Sequence, residues 1–172
     1  MKTPNQALQH NDPGCHALCV RTCRASRGRG LSGTLGKIDM AFPITEFELA
    51  KTEAKIGVRF PESFRSAMIA ENGGAVITDQ DQWDLYPFFD TSDKKRLSRT
   101  SNDILRETEE SRKWRGFPAD GWAISNNGFG DHLFFKRSSA DPTRFENTVY
   151  AYWHETGTIT VLAQDFAELS KE

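Results

Sequence analysis

The chain has 172 residues, of which 37% are hydrophobic and 11% aromatic, and this is enough for one domain with a buried core. Its longest apolar runs are far shorter than the ~20 residues that a membrane-spanning helix needs, so we expect no membrane segment. The formal net charge of −2 divides into +4 for residues 1–39 and −6 for residues 40–172. An acidic domain repels nucleic-acid phosphates, so we expect a protein partner and no nucleic acid, although mild acidity also serves solubility alone in many domains.

Residues 1–39 are basic and contain too many Pro and Gly residues for a helix or strand of useful length, so we expect a disordered extension. They hold all three cysteines, Cys15, Cys19 and Cys23, whose three-residue gaps differ from the paired spacing of zinc knuckles. We therefore expect no metal and no cofactor. The lack of cysteine in residues 40–172 fits a reducing cytoplasm, where we expect the protein to work. The change of composition at Met40 also suggests that Met40 is the native start and that residues 1–39 are not native.

A first helix is predicted over residues 45–56, because apolar residues recur there at helical spacing. Thr45 is a suitable N-cap, and Glu48 follows three residues later as its partner in a capping box. Phe47 belongs to the apolar series, so we expect it on the buried side. Gly57 can adopt the positive φ that ends such a helix.

A second helix is predicted over residues 61–71, and with the first it forms a helical hairpin. Pro61 suits the first helical turn, where its missing N–H has no partner to lose. The buried face of this helix is formed by Phe64, Ala67 and Met68. Asn72-Gly73-Gly74 then ends it, because Asn and Gly tolerate the left-handed conformation of a C-cap.

The middle of the chain mixes aromatic and charged segments. Residues 75–77 are a strand candidate, and the aromatic stretch that follows surrounds Pro87. Since proline cannot donate to a sheet ladder, we expect an edge strand or a loop there. Residues 90–99 are charged and predicted to be exposed, and residues 102–115 have the pattern of a surface helix with few core contacts.

The last third is rich in predicted strands. Residues 122–125 and 132–136 flank a turn of Asn and Gly, and residues 148–154 and 158–162 form a second predicted hairpin. Asp165 is a suitable cap for a short final helix. Helices followed by mostly antiparallel strands predict a single α+β domain, with an N-terminal helical hairpin, an antiparallel sheet and a short C-terminal helix.

The segment from Ile56 to Arg65, with the Asn72-Gly73-Gly74 that follows, resembles the SUKH superfamily, which includes the fungal Smi/Knr cell-wall regulators and many bacterial immunity proteins. Residues 85–87, 128–131 and 149–155 continue the resemblance in the expected order. It spans roughly residues 42–170, so we assign residues 40–172 to a SUKH-like domain. In this resemblance the fold-signature positions are Gly57, Pro61, Asn72, Gly73, Gly130, Asp131, Tyr150 and Glu155.

The resemblance implies a protein-binding module without enzymatic activity. The first hypothesis is an immunity protein that binds and neutralises a cognate toxin, with a polymorphic toxin domain as partner. The alternative is a regulatory scaffold similar to the fungal regulators. In the chain itself, a loop composition of carboxylates around aromatics predicts a binding surface, although core packing is the more common role for aromatics such as Trp83 and Tyr86. The predicted surface consists of Asp79, Asp81, Trp83, Asp84 and Tyr86.

An enzyme using His132 or His154 is a third hypothesis. Asp131-His132 and His154-Glu155 each place an imidazole next to a carboxylate, and the two histidines could act as an acid–base pair if their strands were neighbours. Adjacent residues of a strand point to opposite faces, so neither pair is a dyad through sequence adjacency alone. No catalytic residue is therefore assigned.

Overall fold

The computed structural model of the protein describes residues 42–171, and the extension predicted for residues 1–39, with its three cysteines, lies outside them. The described part is an α+β domain, as predicted. Its helices are α1 (Glu46–Ile56), α2 (Glu62–Ala70), α3 (Lys94–Arg99), α4 (Ile104–Ser111) and a single 3-10 turn (Phe166–Glu168). None of these helices is long and apolar enough to cross a membrane.

Seven strands form one sheet in which every hydrogen-bonded pair is antiparallel. They are β1 (Ala75–Ile77), β2 (Gln82–Leu85), β3 (Gly121–Asn126), β4 (His132–Lys136), β5 (Val149–Trp153), β6 (Thr158–Ala163) and β7 (Ser170–Lys171). Their spatial order is β6-β5-β4-β3-β2-β1-β7. The first six strands are therefore a meander, and β7 closes the edge next to β1.

The helical hairpin begins where the sequence predicts, and α1 ends at the predicted Gly57. The left-handed cap predicted at Asn72-Gly73-Gly74 is wrong, because α2 ends at Ala70 with an extended Glu71 as its C-cap. The Thr45 hydroxyl accepts a hydrogen bond from the Glu48 backbone N–H at 3.3 Å, and Gly57 ends α1 with φ of 69°. Pro61 is the N-cap of α2, which begins at Glu62, whereas the sequence predicted Pro61 inside the first helical turn. Phe64 on α2 is fully buried. Local signals thus set both helices.

The predicted buried side of α1 is wrong. Phe47 is 69% exposed, whereas Leu49 is buried. The helix is oriented by polar groups: Arg65 on α2 is only 2% exposed, and its guanidinium donates to the Glu46 carboxylate at 2.7 Å and also to Glu53. A count of apolar residues misses this ion pair, and so it places the buried face on the wrong side.

An aromatic core joins the hairpin to one face of the sheet. The Phe64 ring of α2 lies 5.3 Å from that of Phe135 on β4 and 4.9 Å from that of Phe166. The Phe60 ring lies 4.7 Å from that of Phe145 and 5.4 Å from that of Phe88. Another signature residue, Asn72, is buried beside this core. Its side-chain amide donates to the Phe88 carbonyl at 2.8 Å and accepts from the Phe88 N–H at 2.7 Å.

The opposite face of the sheet is covered by α4 and the segment that follows it. Phe117 in this segment packs its ring 5.4 Å from Phe134 on β4 and 5.5 Å from Tyr152 on β5. The Thr108 hydroxyl of α4 donates to the Ala123 carbonyl of β3 at 3.3 Å. The sheet therefore lies between two covering layers, the helical hairpin on one face and α4 with the segment after it on the other. Trp114 belongs to this second layer and lies at one end of the sheet.

Two predictions for the middle of the chain are confirmed in part. Residues 86–90 around Pro87 form the predicted loop, but β2 before it is an internal strand between β1 and β3, because Pro87 lies two residues beyond its end and leaves its ladder intact. Most of the segment 90–99 is exposed as predicted, but Asp90 is 2% exposed and accepts a hydrogen bond from Arg96 of α3 at 2.9 Å. The surface helix predicted over 102–115 is present as the shorter α4.

The C-terminal helix is confirmed in position but is only one 3-10 turn. The Asp165 carboxylate caps it by accepting from the Ala167 N–H at 2.8 Å. β7 follows directly and was not predicted. The sheet is strongly curved, because the Trp83 ring of β2 lies 5.9 Å from the Trp153 ring of β5, although two strands separate them.

Candidate functional site

Three turns lie together at one end of the sheet. They connect β1 to β2 (78–81), β3 to β4 (127–131) and β5 to β6 (154–157). Alternate turns of an antiparallel meander fall at the same end, so the topology itself gathers them. We call this region the three-turn end.

Hydrogen bonds from one asparagine link the first two turns. The Asn127 side-chain NH2 donates to the Asp81 carboxylate at 2.7 Å and to the Asp131 carboxylate at 2.8 Å. Its carbonyl oxygen accepts from the Phe129 N–H at 2.9 Å and from the Asp131 N–H at 3.2 Å. Both polar atoms of this amide are therefore used to hold the turn in one conformation.

Asp131 links the second turn to the third. Its carboxylate accepts from the His154 backbone N–H at 2.8 Å and from the imidazole Nδ1–H at 2.9 Å, and the residue is 9% exposed. Burial alone would raise the pKa of Asp131. The hydrogen bonds from the side chain and backbone of His154 and from Asn127 outweigh burial, so the pKa lies below its usual range.

Gly130 is required by close packing. Its φ is +107°, and a Cβ at this position would lie 3.1 Å from His154 Cγ and 3.1 Å from Trp114 Cζ3. Any side chain would therefore strain the backbone and displace one of the two rings. The glycine allows the second turn to pack against Trp114 and His154.

The three-turn end presents acidic and aromatic groups to solvent. Asp79 and Glu155 are exposed, and the turns contain no lysine or arginine. Phe129 is 75% exposed at the tip of the second turn, and Trp114 is 43% exposed beside it. Neither aromatic belongs to the surface predicted from the sequence. The signal for Phe129 was its place inside an Asn-Gly-Phe-Gly turn, where no strand face is available to bury it.

The predicted binding residues do not form one continuous surface. Asp79 and Asp84 are exposed and Asp81 is half-buried, but Trp83 is 0% and Tyr86 is 4% exposed. The prediction needs correcting for these two aromatics, because both side chains are core groups that a partner does not reach in this conformation. The indole N–H of Trp83 donates to the Thr78 hydroxyl at 3.3 Å.

The two histidines have different surroundings. His132 is 6% exposed, its Nδ1 lies 3.2 Å from the Tyr86 hydroxyl, and burial lowers its pKa. His154 is half-buried and bound to Asp131. The Trp114 ring lies against both, at 5.8 Å from His132 and 6.0 Å from His154. The pairing of Asp131 with His154 thus crosses between strands and does not follow sequence adjacency.

Two signature positions remain. The Tyr150 ring stacks 5.5 Å from Phe134, and its hydroxyl donates to Glu146 at 2.7 Å. Burial and this glutamate raise the pKa of Tyr150. Glu155 lies exposed in the third turn. Among residues 42–171 no group of three or more His, Cys, Asp or Glu side chains is placed to hold a metal ion.

Comparison with family models identifies the class of the domain. A model described as the SMI1 / KNR4 family (SUKH-1) matches residues 43–172, which is more than half of the chain. The chain therefore belongs to the SMI1 / KNR4 family, and the resemblance to the SUKH superfamily is confirmed. Neither the curated proteins nor the solved structures contain a match to it.

Proposed function

We propose that the protein is a non-enzymatic binding module of the cytoplasm that neutralises a cognate toxin as its immunity protein. The observation that carries this proposal is the three-turn end: a rigid network of hydrogen bonds supports exposed aromatics and exposed carboxylates without any lysine or arginine in the turns. Exposed aromatics held by a rigid frame suit a protein interface, and the carboxylates suit a basic partner.

The surroundings of the polar groups favour binding over catalysis. Asp131 accepts hydrogen bonds from the His154 backbone, the His154 ring and Asn127, so its carboxylate is occupied in holding turns together. His132 is covered by the rings of Trp114 and Phe117. An enzyme using His132 or His154 remains the third hypothesis, and only in that case would the double variant His132→Ala/His154→Ala lose function while still binding the partner.

A regulatory scaffold is the second hypothesis within the same family. It would use the same surface, but its partner would be a signalling or envelope-synthesis protein. The identity of the partner therefore separates the two hypotheses better than any property of this chain alone.

The test is affinity purification of the full chain from its native source at low and moderate salt. A protein that co-purifies in stoichiometric amount is then expressed alone and together with this chain. Growth inhibition by the partner, relieved by co-expression of the chain, supports the immunity function. A harmless signalling partner supports the scaffold, and a chain that retains no protein contradicts both.

Charge reversal tests where the partner binds. Asp79→Lys with Glu155→Lys should slow association with a basic partner and reduce its salt dependence, because both carboxylates are exposed at the three-turn end. Asp81 is a poor choice for this test, since its carboxylate accepts from Asn127 and its reversal would disturb the turn. An unchanged association rate would remove the three-turn end from consideration.

A further inference from the structure

We propose that Phe129 is the anchor residue of this interface, inserting into an apolar pocket of a protein partner whose basic side chains face the three turns. The inference rests on the proposed binding function and adds a residue, a geometry and a partner chemistry. Phe129 is 75% exposed, the largest exposure among the large hydrophobic side chains exposed in residues 42–171. Aromatic side chains are enriched among the residues that contribute most of the binding energy in protein interfaces.

The backbone around Phe129 is already ordered before any partner binds. The Asn126 side-chain oxygen accepts from the Gly128 N–H at 2.9 Å, and that of Asn127 accepts from the Phe129 N–H at 2.9 Å. Asn127 is itself fixed by Asp81 and Asp131. A tip held on both sides loses little conformational freedom on binding, so the affinity gained by burying the ring is largely retained.

The apolar surface extends beyond Phe129. Gly130 follows it directly, and Trp114 packs so closely on Gly130 that a Cβ there would lie 3.1 Å from the indole. Trp114 is itself 43% exposed, and its ring lies 6.0 Å from that of His154. Both exposed aromatics thus border Gly130, and one partner can cover them together.

The charges around this apolar patch give the partner an orientation. Asp79 and Glu155 are exposed on the turns, and Arg115 is exposed next to Trp114. The other two cations near Trp114 have partners: Arg112 lies 4.7 Å from the Trp122 ring, and Lys113 pairs with Glu110 at 2.6 Å. The partner's cations should thus lie over Asp79 and Glu155 and not over Arg115.

The test measures binding of the purified full chain to the partner isolated above. Phe129→Ala should weaken binding by roughly 30-fold or more, mainly through faster dissociation, as expected for an anchor residue. Phe129→Leu should retain part of the affinity because it keeps an apolar side chain. Phe47→Ala is the matched control, since Phe47 is 69% exposed but lies on α1, and it should bind as the wild type does.

Thermal unfolding of each variant checks that folding is unchanged, as expected for side chains that are mostly in water. If Phe129→Ala binds as tightly as the wild type, the anchor role is rejected while the binding function stands. If Phe47→Ala weakens binding and Phe129→Ala does not, the interface lies on the helical hairpin. If the wild type itself binds no protein, the proposed function and the anchor are both rejected.

Discussion

Asp131→Asn is the substitution that tests the hydrogen-bond network of the three-turn end most sharply. The side chain of Asp131 is 12% exposed, and its carboxylate accepts three hydrogen bonds of 2.8, 2.9 and 2.8 Å. Asparagine has nearly the same shape and can still accept from His154. Its NH2 group, however, would face the NH2 group of Asn127, so that one hydrogen bond to a charged acceptor is replaced by two opposed donors.

The expected loss is about 2–3 kcal/mol of unfolding free energy at pH 7, since hydrogen bonds to charged groups contribute roughly 1.5–3 kcal/mol each. For a chain of this size, that loss corresponds to a decrease in Tm of about 5–10 °C. Urea unfolding and thermal unfolding of the wild type and of Asp131→Asn at pH 7 measure the loss of free energy and the decrease in Tm. Asp79→Asn is the control, because it removes the same charge from an exposed site of the first turn.

The pH dependence gives an independent check. Because the pKa of Asp131 is lowered in the folded state, its stabilising contribution is present above the unfolded value of about 3.9 and is lost as the pH falls through the folded value. The difference between wild type and Asp131→Asn should therefore shrink below roughly pH 4. Equal stability at pH 7, or a difference that stays constant into strong acid, would refute the role assigned to this carboxylate.

Three further predictions concern single residues. Glu53→Gln should cost about 3 kcal/mol in urea unfolding, because it removes a carboxylate partner of the buried Arg65; a loss below about 1 kcal/mol would contradict it. Gly130→Ala should lower the Tm more than Gly57→Ala does. Both glycines have positive φ, but of the two only Gly130 has other groups within contact distance of an added Cβ. Equal decreases in Tm would argue against close packing at Gly130. The lowered pKa of His132 predicts that stability falls as the pH drops below about 6.5, because the unfolded state then binds more protons. His132→Gln should remove that part of the slope, and an unchanged slope would assign it to other groups.

The sequence predicts local structure well where a single residue decides it. Thr45, Gly57 and Asp165 cap or end helices as expected, because each acts through its own side chain or its own φ. The orientation of α1 could not be predicted in the same way. It depends on Arg65, a charged residue that is buried only because carboxylates of the other helix surround it.

The candidate site was predictable in its parts but not in its arrangement. Gly130, Asp131 and Glu155 were noted as signature positions, and Asp79 and Asp81 as surface carboxylates. Their gathering at one end of the sheet depends on the order of the strands, which no local pattern contains. The link from Asp81 through Asn127 to Asp131 joins residues that are far apart in the chain. For the same reason the sequence did not reveal that Trp83 is enclosed by the curved sheet.

We propose that a partner binds at the three-turn end, and amide hydrogen–deuterium exchange of the full chain, alone and with its purified partner, measures which backbone segments become protected. We expect slower exchange on binding in residues 78–81, 127–131 and 154–157 and around Trp114, with little change in α1 and α2. Protection confined to the helical hairpin, with the three turns unaffected, would contradict this proposal.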